Sequence, residues 1–183
     1  MSHILLTGLP GVGKTTLIRE LAKRLADYQP AGFYTEEIRE RGSRQGFRLE
    51  ALDGRRGILA HRDDRGPYRV GRYGVDVDGF ERLLAEQGLS RVSARVILID
   101  EIGKMECCSK RFIEEVTTLL DASRLVVATI ALKGEGFIRQ VKQRPDCRLI
   151  TVTVDNRKGL VDRLLAEVVD GISRQDSQIG SNR

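Results

Sequence analysis

A short glycine-rich segment near the N-terminus has the composition and spacing of a phosphate-binding loop. The run Gly8-Leu9-Pro10-Gly11-Val12-Gly13-Lys14-Thr15 fits the pattern G-x-x-x-x-G-K-[ST] and directly follows the apolar residues 4–7. Glycines allow the backbone to turn successive N–H groups around an anion, and the positive end of a following helix dipole adds to the attraction. Lys14 can reach β- and γ-phosphate oxygens, and the Thr15 hydroxyl can ligate Mg²⁺. The segment therefore predicts a triphosphate site in which Lys14 is catalytic, Thr15 is a metal ligand and the adjoining Thr16 also contacts the nucleotide.

Two adjacent carboxylates follow a second apolar run. Residues 96–101 read VILIDE, so Asp100 and Glu101 come at the carboxyl end of a strand that is apolar on both faces. Parallel α/β sheets bind their ligands at that end. We expect Asp100 to hold the metal ion through water, and Glu101 to orient, or accept a proton from, the water that attacks the γ-phosphate. The alternative for Glu101 is a helix-capping or solvated acid.

The apolar patterns around these motifs predict the fold that positions them. Strand-like runs at 96–99, 125–130 and 149–154 alternate with helix-like segments, the first of which is expected at 14–27. This alternation is typical of right-handed crossovers and a parallel sheet. We therefore predict an α/β P-loop NTPase fold, with a mostly parallel central sheet and helices on both faces. The glutamate directly after Asp100 and the long separation of the two motifs favour a RecA-like layout, and the chain contains no N-K-x-D motif of the kind that reads guanine in GTPases.

The segment between the two motifs has a different pattern. From residue 32 to residue 75, short extended runs alternate with turns such as Asp53-Gly54, which predicts an antiparallel meander inserted into a single domain of residues 1–172. A polar tail is expected at 173–183. Ten arginines and no lysine lie between residues 39 and 72, against five acids, so this segment accounts for the whole net charge of +5. We expect an anionic partner to meet that segment.

Composition limits the class of protein. The chain has 183 residues, 40% of them hydrophobic and 31% charged, as is typical of a globular domain. It shows no run of about 18 apolar residues and no leader-like N-terminus, so we expect a cytoplasmic protein with no membrane partner, as a monomer or weak oligomer. The cysteines Cys107, Cys108 and Cys147 have no ligand-like spacing to His3 or His61. We expect reduced thiols and no zinc site.

Five segments taken together resemble a known family. They read TGLPGVGKTTL, GFYTEEIRE, GFRLEALDG, VILIDEIGKME and TVTVDNR, and the likeness extends to about Gly171. These segments are similar to the THEP-type nucleoside-triphosphatases, also called the cancer-related nucleoside-triphosphatase family. The resemblance implies Mg²⁺-dependent release of phosphate from ATP, GTP and other nucleoside triphosphates, with loose base preference. The nucleotide residues that it implies are Gly8, Leu9, Pro10, Gly11, Val12, Gly13, Lys14 and Thr15 in the loop, and Val96, Ile97, Leu98, Ile99, Asp100, Glu101, Ile102 and Gly103 in the later segment.

Weaker candidates lie near other strand ends. Thr129 is either a sensor of the γ-phosphate or a simple strand-end threonine, and relatives in the family often have a glycine where this chain has Ala128. Lys104 could neutralise phosphate charge, although pairing with a nearby glutamate is the favoured interpretation. Asn156 and Arg157 follow a strand at a place where an amide and a guanidinium could meet base or ribose, so both are assigned to the nucleotide site. The alternative for Asn156 is the N-cap of the last helix.

Other candidates come from the arginine-rich and cysteine-containing segments. One arginine, such as Arg39, Arg48 or Arg72, could reach the γ-phosphate as an arginine finger in cis, while most of the others are expected to be solvated. Cys107 and Cys108 lie near a helix start that could lower their thiol pKa, but an inert pair is favoured.

Hydrolysis of nucleoside triphosphates is the main functional hypothesis. A nucleotide or small-molecule kinase is an alternative, in which the arginine-rich segment would hold the phosphoryl acceptor. A nucleotide-dependent nucleic-acid-binding module is another, although the tyrosines are too scattered to form a base-stacking motif.

Overall fold

A computed structural model describes residues 2–180 of the chain, with side chains described to residue 174. The strands are β1 (His3–Thr7), β2 (Ala31–Glu40), β3 (Ser43–Ala51), β4 (Arg56–His61), β5 (Arg69–Val70), β6 (Tyr73–Val75), β7 (Val96–Ile102), β8 (Leu125–Ile130) and β9 (Cys147–Thr151). The α-helices are α1 (Lys14–Arg24), α2 (Val77–Gln87), α3 (Lys110–Asp121), α4 (Phe137–Lys142) and α5 (Arg157–Gly180), with 3-10 turns at Ala26–Tyr28 and Glu106–Cys108.

Within residues 2–180 the strands form one nine-stranded sheet in the order β5-β6-β4-β3-β2-β7-β8-β1-β9. Strands β2, β7, β8, β1 and β9 run parallel, and we call them the parallel half. Strands β3 to β6 pair antiparallel, and we call them the antiparallel half. The predicted α/β fold is present, but the sheet is mixed and not mostly parallel. The reason is the length of β2, because residues 31–33 pair with β7 while residues 33–40 pair with β3, so that the predicted meander continues the central sheet.

Helices cover both faces of the parallel half. Side chains of α1 and α5 pack on one face, and those of α2, α3 and α4 pack on the other. Residues 96–99 of β7 are fully buried, as expected for a strand covered on both faces. On β2, Phe33 contacts Phe80 of α2 and Phe112 of α3, with ring centroids 5.9 and 6.3 Å apart. By contrast, Ile58 of β4 is 50% exposed, since it lies on a sheet face away from these helices.

Side chains cap the starts of two helices. The Asp76 side chain accepts a hydrogen bond from the Gly79 N–H ahead of α2, and Ser109 accepts one from the Phe112 N–H ahead of α3. Helix α1 is shorter than predicted, because it ends at Arg24 and the chain continues in a 3-10 turn.

The last strand differs from its predicted bounds, and the last helix extends into the segment where a polar tail was expected. A strand was expected at 149–154, whereas β9 spans Cys147–Thr151, because it pairs residue for residue with β1. The Val152 N–H then donates to the Thr7 carbonyl oxygen at 2.7 Å, and the chain turns toward α5. Helix α5 continues through residue 173, where the polar tail was expected, as far as Gly180, and 181–183 lie outside the described residues. None of the helices in the described part of the chain combines the length and the apolar composition needed to cross a bilayer.

Candidate active site

The carboxyl ends of the parallel strands bring most of the predicted site residues to one edge of the sheet. The loop of residues 8–13 follows β1, and Asp100 and Glu101 lie near the end of β7. Strand β8 lies between β1 and β7, so one strand separates the two strands that carry the motifs, in agreement with the predicted RecA-like layout. We call the carboxyl groups of Asp100, Glu101 and Glu106 at this end of β7 the acidic edge.

The backbone of the loop has a shape that requires glycine. Gly13 precedes α1 with a φ of 107°, a conformation that other residues rarely adopt. A Cβ atom on Gly8 would lie 2.6 Å from the carbonyl oxygen of Val152, so glycine allows the turn after β9 to pack against the loop. The Lys14 Nζ atom donates to the carbonyl oxygens of Gly8 at 3.1 Å and Leu9 at 3.4 Å, which places its ammonium group across the loop.

Side chains from separate elements of the fold contact the carboxyl group of Asp100. Its carboxyl group is buried, and its Oδ2 atom accepts a hydrogen bond from the Thr15 hydroxyl at 2.6 Å. The Thr129 hydroxyl donates to Oδ1, and the Thr35 hydroxyl lies 3.4 Å from Oδ2. The two predicted metal ligands, Thr15 and Asp100, are therefore in contact. Thr129, whose role the sequence left open, lies within the same cluster.

Thr35 was not among the predicted site residues. The strand that carries it was predicted from the run GFYTEEI, but that run does not show which strand is its neighbour. Phe33 pairs with Ile99 in the sheet, so Thr35 and Asp100, which follow these two residues, come close to each other. The sequence alone does not give the register of β2 against β7, and without that register Thr35 cannot be assigned to the site.

The remaining two carboxyl groups of the acidic edge are held in a poorly solvated environment. Burial raises the pKa of Glu101, the charge of Asp100 raises it further, and the ammonium group of Lys14 lowers it. Glu106, which was also not predicted, is only 4% exposed. Burial raises the pKa of Glu106 well above its usual range, and the charge of Glu101 is the next largest cause. Its signal in the sequence is weak, a single acid in the run MECC.

The turn between β9 and α5 lies beside the loop, but its side chains are largely engaged. Asn156 Oδ1 accepts from the Thr153 N–H at 2.9 Å, and its Nδ2 atom donates to the Thr151 carbonyl oxygen at 2.8 Å. The Arg157 guanidinium donates to the carbonyl oxygen of Val12 at 3.2 Å. Arg157 is thus placed on the loop, whereas Asn156 organises the turn.

The other predicted nucleotide residues fall into two groups, exposed residues of the loop and buried residues of β7. Leu9, Pro10, Gly11 and Thr16 are exposed, while Val12 is half-buried. In β7, residues 96–99 and Ile102 are fully buried, so they support the acidic edge from inside the sheet and do not line it. Gly103 lies between the carboxyl groups of Glu101 and Glu106.

A separate cleft of about 760 Å³ lies along the exposed side of α1. It is lined by Thr16, Arg19, Lys23 and Tyr34, among others, so that it meets the predicted site at Thr16. The Arg19 guanidinium lies over the Tyr34 ring and pairs with Glu36. Of the predicted nucleotide residues, only Thr16 lines this cleft.

The three arginines considered as fingers are engaged by side chains of β2, β3 and β6. Arg39 pairs with Glu37, and Arg48 pairs with both Glu36 and Glu50. The Arg72 guanidinium lies over the ring of Tyr73, 5.2 Å from its centroid, and also donates to its hydroxyl. These contacts hold the guanidinium groups against β2, β3 and β6.

Cys107, Cys108 and His3 lie in environments that suit a structural role. Burial raises the pKa of the Cys107 thiol to about 12 and also raises that of Cys108, which agrees with the inert pair that was favoured. His3 is buried, where its Nε2 atom lies 2.9 Å from the Leu120 carbonyl oxygen and its Nδ1 atom accepts from the Val126 N–H at 3.2 Å.

Known proteins are similar to this chain along most of its length. A family model described as "NTPase" matches residues 3–165. The nucleoside-triphosphatase THEP1 of Thermotoga sp. (strain RQ2) is 44% identical over 165 residues, which cover 89% of this chain and 93% of that protein. The crystal structure of THEP1 from Aquifex aeolicus superposes with a TM-score of 0.80 at 35% identity, covering 91% of this chain and 98% of that one.

A second solved structure agrees with the first. The solution structure of a human cancer-related nucleoside triphosphatase has a TM-score of 0.78 and 36% identity, covering 92% of this chain and 97% of that one. The names of these relatives do not favour the kinase or the nucleic-acid-binding alternative. The resemblance read from five sequence segments is confirmed, and the chain belongs to the nucleoside-triphosphatase family of P-loop proteins that includes THEP1 and the cancer-related nucleoside-triphosphatases.

Proposed function

We propose that this protein hydrolyses nucleoside triphosphates to nucleoside diphosphate and inorganic phosphate at the acidic edge. The observation that carries the proposal is the 2.6 Å hydrogen bond between Thr15 and Asp100, which joins the phosphate-binding loop to the end of β7. The relatives named above as nucleoside-triphosphatases support the same reaction.

The loop supplies the contacts for the triphosphate. Backbone N–H groups of residues 8–13 and the start of α1 would surround the β-phosphate, because the positive glycine φ angles turn the backbone at those positions. Lys14, whose ammonium group lies across the loop, would move from the carbonyl oxygens of Gly8 and Leu9 to the phosphate oxygens. Charge that develops on the transferring phosphoryl group is then opposed by a group already in place.

A magnesium ion fits the residues at the centre of the site. Thr15 and Asp100 present a hydroxyl and a carboxylate oxygen in direct contact, and Mg²⁺ prefers oxygen ligands of this kind. When bound, the ion would neutralise charge on the β- and γ-phosphates. Thr35 and Thr129 would hold the Asp100 carboxylate through their hydroxyl groups.

Glu101 would activate the attacking water. Its carboxylate would accept a proton as the water oxygen forms a bond to the γ-phosphorus, and the bond from that phosphorus to the bridging oxygen of the diphosphate breaks. Burial raises the pKa of Glu101, which makes its carboxylate a stronger base than an exposed one.

Base specificity is proposed to be broad. Both polar atoms of the Asn156 amide are engaged by backbone groups of the β9–α5 turn, so they are not available to distinguish one base from another. Arg157 would contribute a contact without a base-specific pattern, because a guanidinium has only donors.

The test is phosphate release from ATP and GTP with Mg²⁺ and no other acceptor. Lys14→Ala should lower turnover by about 100-fold or more, as expected for loss of a group that stabilises transition-state charge. The matched control is Lys23→Ala at the other end of α1, which should retain turnover. Glu101→Gln should bind a non-hydrolysable ATP analogue normally while losing turnover.

The proposal is wrong if the unaltered protein releases no more phosphate than Lys14→Ala. Normal turnover of Glu101→Gln would remove that residue from the mechanism while leaving hydrolysis itself in place.

A further inference from the structure

Glu106 is a buried carboxyl group for which the proposed reaction has no direct use. It lies in the 3-10 turn after β7 and is only 4% exposed. The charged side chains that act on it include Glu101 and Asp100, and both raise its pKa. Burial of an acid among other acids is unfavourable unless the group is protonated or well hydrogen-bonded, so its position calls for an explanation.

Gly103 shows how close Glu106 comes to Glu101. A Cβ atom placed on Gly103 would lie 2.7 Å from Oε1 of Glu101 and 2.7 Å from Oε2 of Glu106. The two carboxyl oxygens are therefore no more than about 5.4 Å apart, twice that distance. The absence of a side chain at residue 103 leaves the space into which both carboxyl groups reach.

The Glu106 carboxyl group also interacts with the chain that carries Glu101. Backbone hydrogen bonds from Gly103 and Glu106 lower the pKa of the Glu106 carboxyl group, and the Cys107 N–H donates to the Gly103 carbonyl oxygen at 3.0 Å in the same turn. Glu101 lies two residues before that turn, so the direction of its side chain depends on how the turn is held.

We propose that Glu106 is a positioning residue, which fixes the carboxyl group of Glu101 by closing the 103–106 turn and by occupying the space beside it. The proposal rests on the role proposed above for Glu101 as the group that activates water. Glu106 does not touch the substrate. Of the two acids, Glu106 is the more deeply buried, and burial raises the pKa of both, that of Glu106 well above its usual range.

The experiment compares Glu106→Gln, Glu106→Ala and Glu101→Gln for phosphate release with ATP and Mg²⁺. Glu106→Gln keeps the size of the side chain and an oxygen that can accept from the backbone, so we expect kcat within about 3-fold of the unaltered protein. Glu106→Ala leaves Glu101 unsupported, and kcat should fall by about 10-fold or more while KM changes by less than about 2-fold. A residue with only a structural role would not separate kcat from KM in this way.

A double variant tests whether Glu106 acts through Glu101. In the Glu101→Gln background, the further change Glu106→Ala should lower kcat by less than about 2-fold, because the group that it positions is already absent. The matched control is Glu50→Gln, a carboxyl group of similar burial in the antiparallel half, which should leave kcat unchanged.

Gly103→Ala tests the same geometry without altering either acid. The added methyl group would meet both carboxyl oxygens at 2.7 Å and force them apart. We expect kcat to fall and KM to stay the same. This variant keeps the proposal open to test if Glu106→Ala does not fold.

Three results would overturn the proposal: normal kcat in Glu106→Ala or Gly103→Ala, equal loss in Glu106→Gln and Glu106→Ala, or an undiminished effect of Glu106→Ala in the Glu101→Gln background. In each of these cases the role of Glu101 stands if Glu101→Gln is itself inactive. Normal turnover of Glu101→Gln would instead remove both roles.

Discussion

In the antiparallel half the buried carboxylate of Glu50 lies between two arginines, whereas the buried carboxyl group of Asp100 at the acidic edge contacts threonine hydroxyl groups. Glu50 is 6% exposed, and its oxygens lie 3.0 Å from the Nε atom of Arg48 and 2.7 Å from that of Arg56. Asp100 is just as buried, but it accepts hydrogen bonds from threonine hydroxyls.

The difference is that the charge of Glu50 is paired within the protein, whereas the charge of Asp100 remains available to a ligand. Paired arginines neutralise Glu50 within the protein, so that carboxylate has little remaining attraction for a cation. Threonine hydroxyls hold Asp100 in place without neutralising it. Asp100 therefore keeps its negative charge for the proposed metal ion.

The same comparison changes how the basic segment is understood. The sequence placed the entire net charge of +5 between residues 39 and 72. Two glutamates just outside that range pair with its arginines. Glu36 pairs with Arg48, and Glu37 pairs with both Arg39 and Arg44. The segment therefore has less free positive charge than its composition indicates, and binding of an anionic partner there stays a prediction.

The largest expected effect tests whether the two halves are one cooperative unit. Phe33 lies on β2, which pairs with both halves, and its ring packs against Phe80 and Phe112. We expect Phe33→Ala to lower the free energy of unfolding by about 3 to 5 kcal/mol, as for other buried aromatic truncations. Urea unfolding followed by circular dichroism should show one transition at a lower midpoint.

Phe47→Ala is the matched control for that change. Phe47 is only partly buried and contacts the Tyr73 ring edge-on at 5.3 Å, so its loss should cost less. Two separate transitions in either variant would show that the halves unfold independently.

A smaller effect is expected when the uncompensated charge of the acidic edge is removed. Asp100→Asn keeps the size of the side chain but loses the charge that the proposed metal ion needs, so kcat should fall by about 100-fold. The melting temperature should change little, because the charge that is lost was buried without a cation. Turnover at the level of the unaltered protein would place the metal site elsewhere.

Glu50→Gln should show the opposite behaviour and completes the comparison. Loss of a charge held by two partly exposed arginines should lower the free energy of unfolding by about 1 to 2 kcal/mol, with no change in kcat. A loss of activity in this variant would contradict the separation of the two kinds of carboxylate.

The smallest expected effect concerns pH and lies within the parallel half. Burial lowers the pKa of His3 in the folded protein, the Leu120 carbonyl oxygen and the charge of Asp146 raise it by less, and the charge of Arg144 lowers it further. In the unfolded chain His3 binds its proton near pH 6.5, so the unfolded state holds more protons below that pH and stability falls as the pH is lowered. A proton on Nδ1 would also remove the acceptor for the Val126 N–H.

The measurement is the urea midpoint between pH 7.5 and pH 5.5, as a range on either side of the usual histidine pKa of about 6.5. His3→Gln should show a shallower decline than the unaltered protein, because it removes the titrating group. Equal slopes for the two proteins would show that His3 does not contribute to the pH dependence.

The sequence by itself determined the features that are encoded by neighbouring residues. The phosphate-binding loop was predictable because its glycines, Lys14 and Thr15 are consecutive and lie between a strand and a helix. The caps at Asp76 and Ser109 are local in the same sense, since each accepts a hydrogen bond from a backbone N–H three residues later. Asp100 and Glu101 were found because they end an apolar run.

Only the tertiary structure decided which distant residues meet. Thr35 reaches Asp100 across 65 positions, and this contact depends on the register of β2 against β7. The bounds of β9 depend on its pairing with β1, and the mixed sheet depends on β2 serving two neighbours. The period of a segment shows whether it is a strand or a helix, but not which strand lies beside it. Glu106 shows the same limit, because its proximity to Glu101 results from a turn that the chain's apolar pattern does not encode.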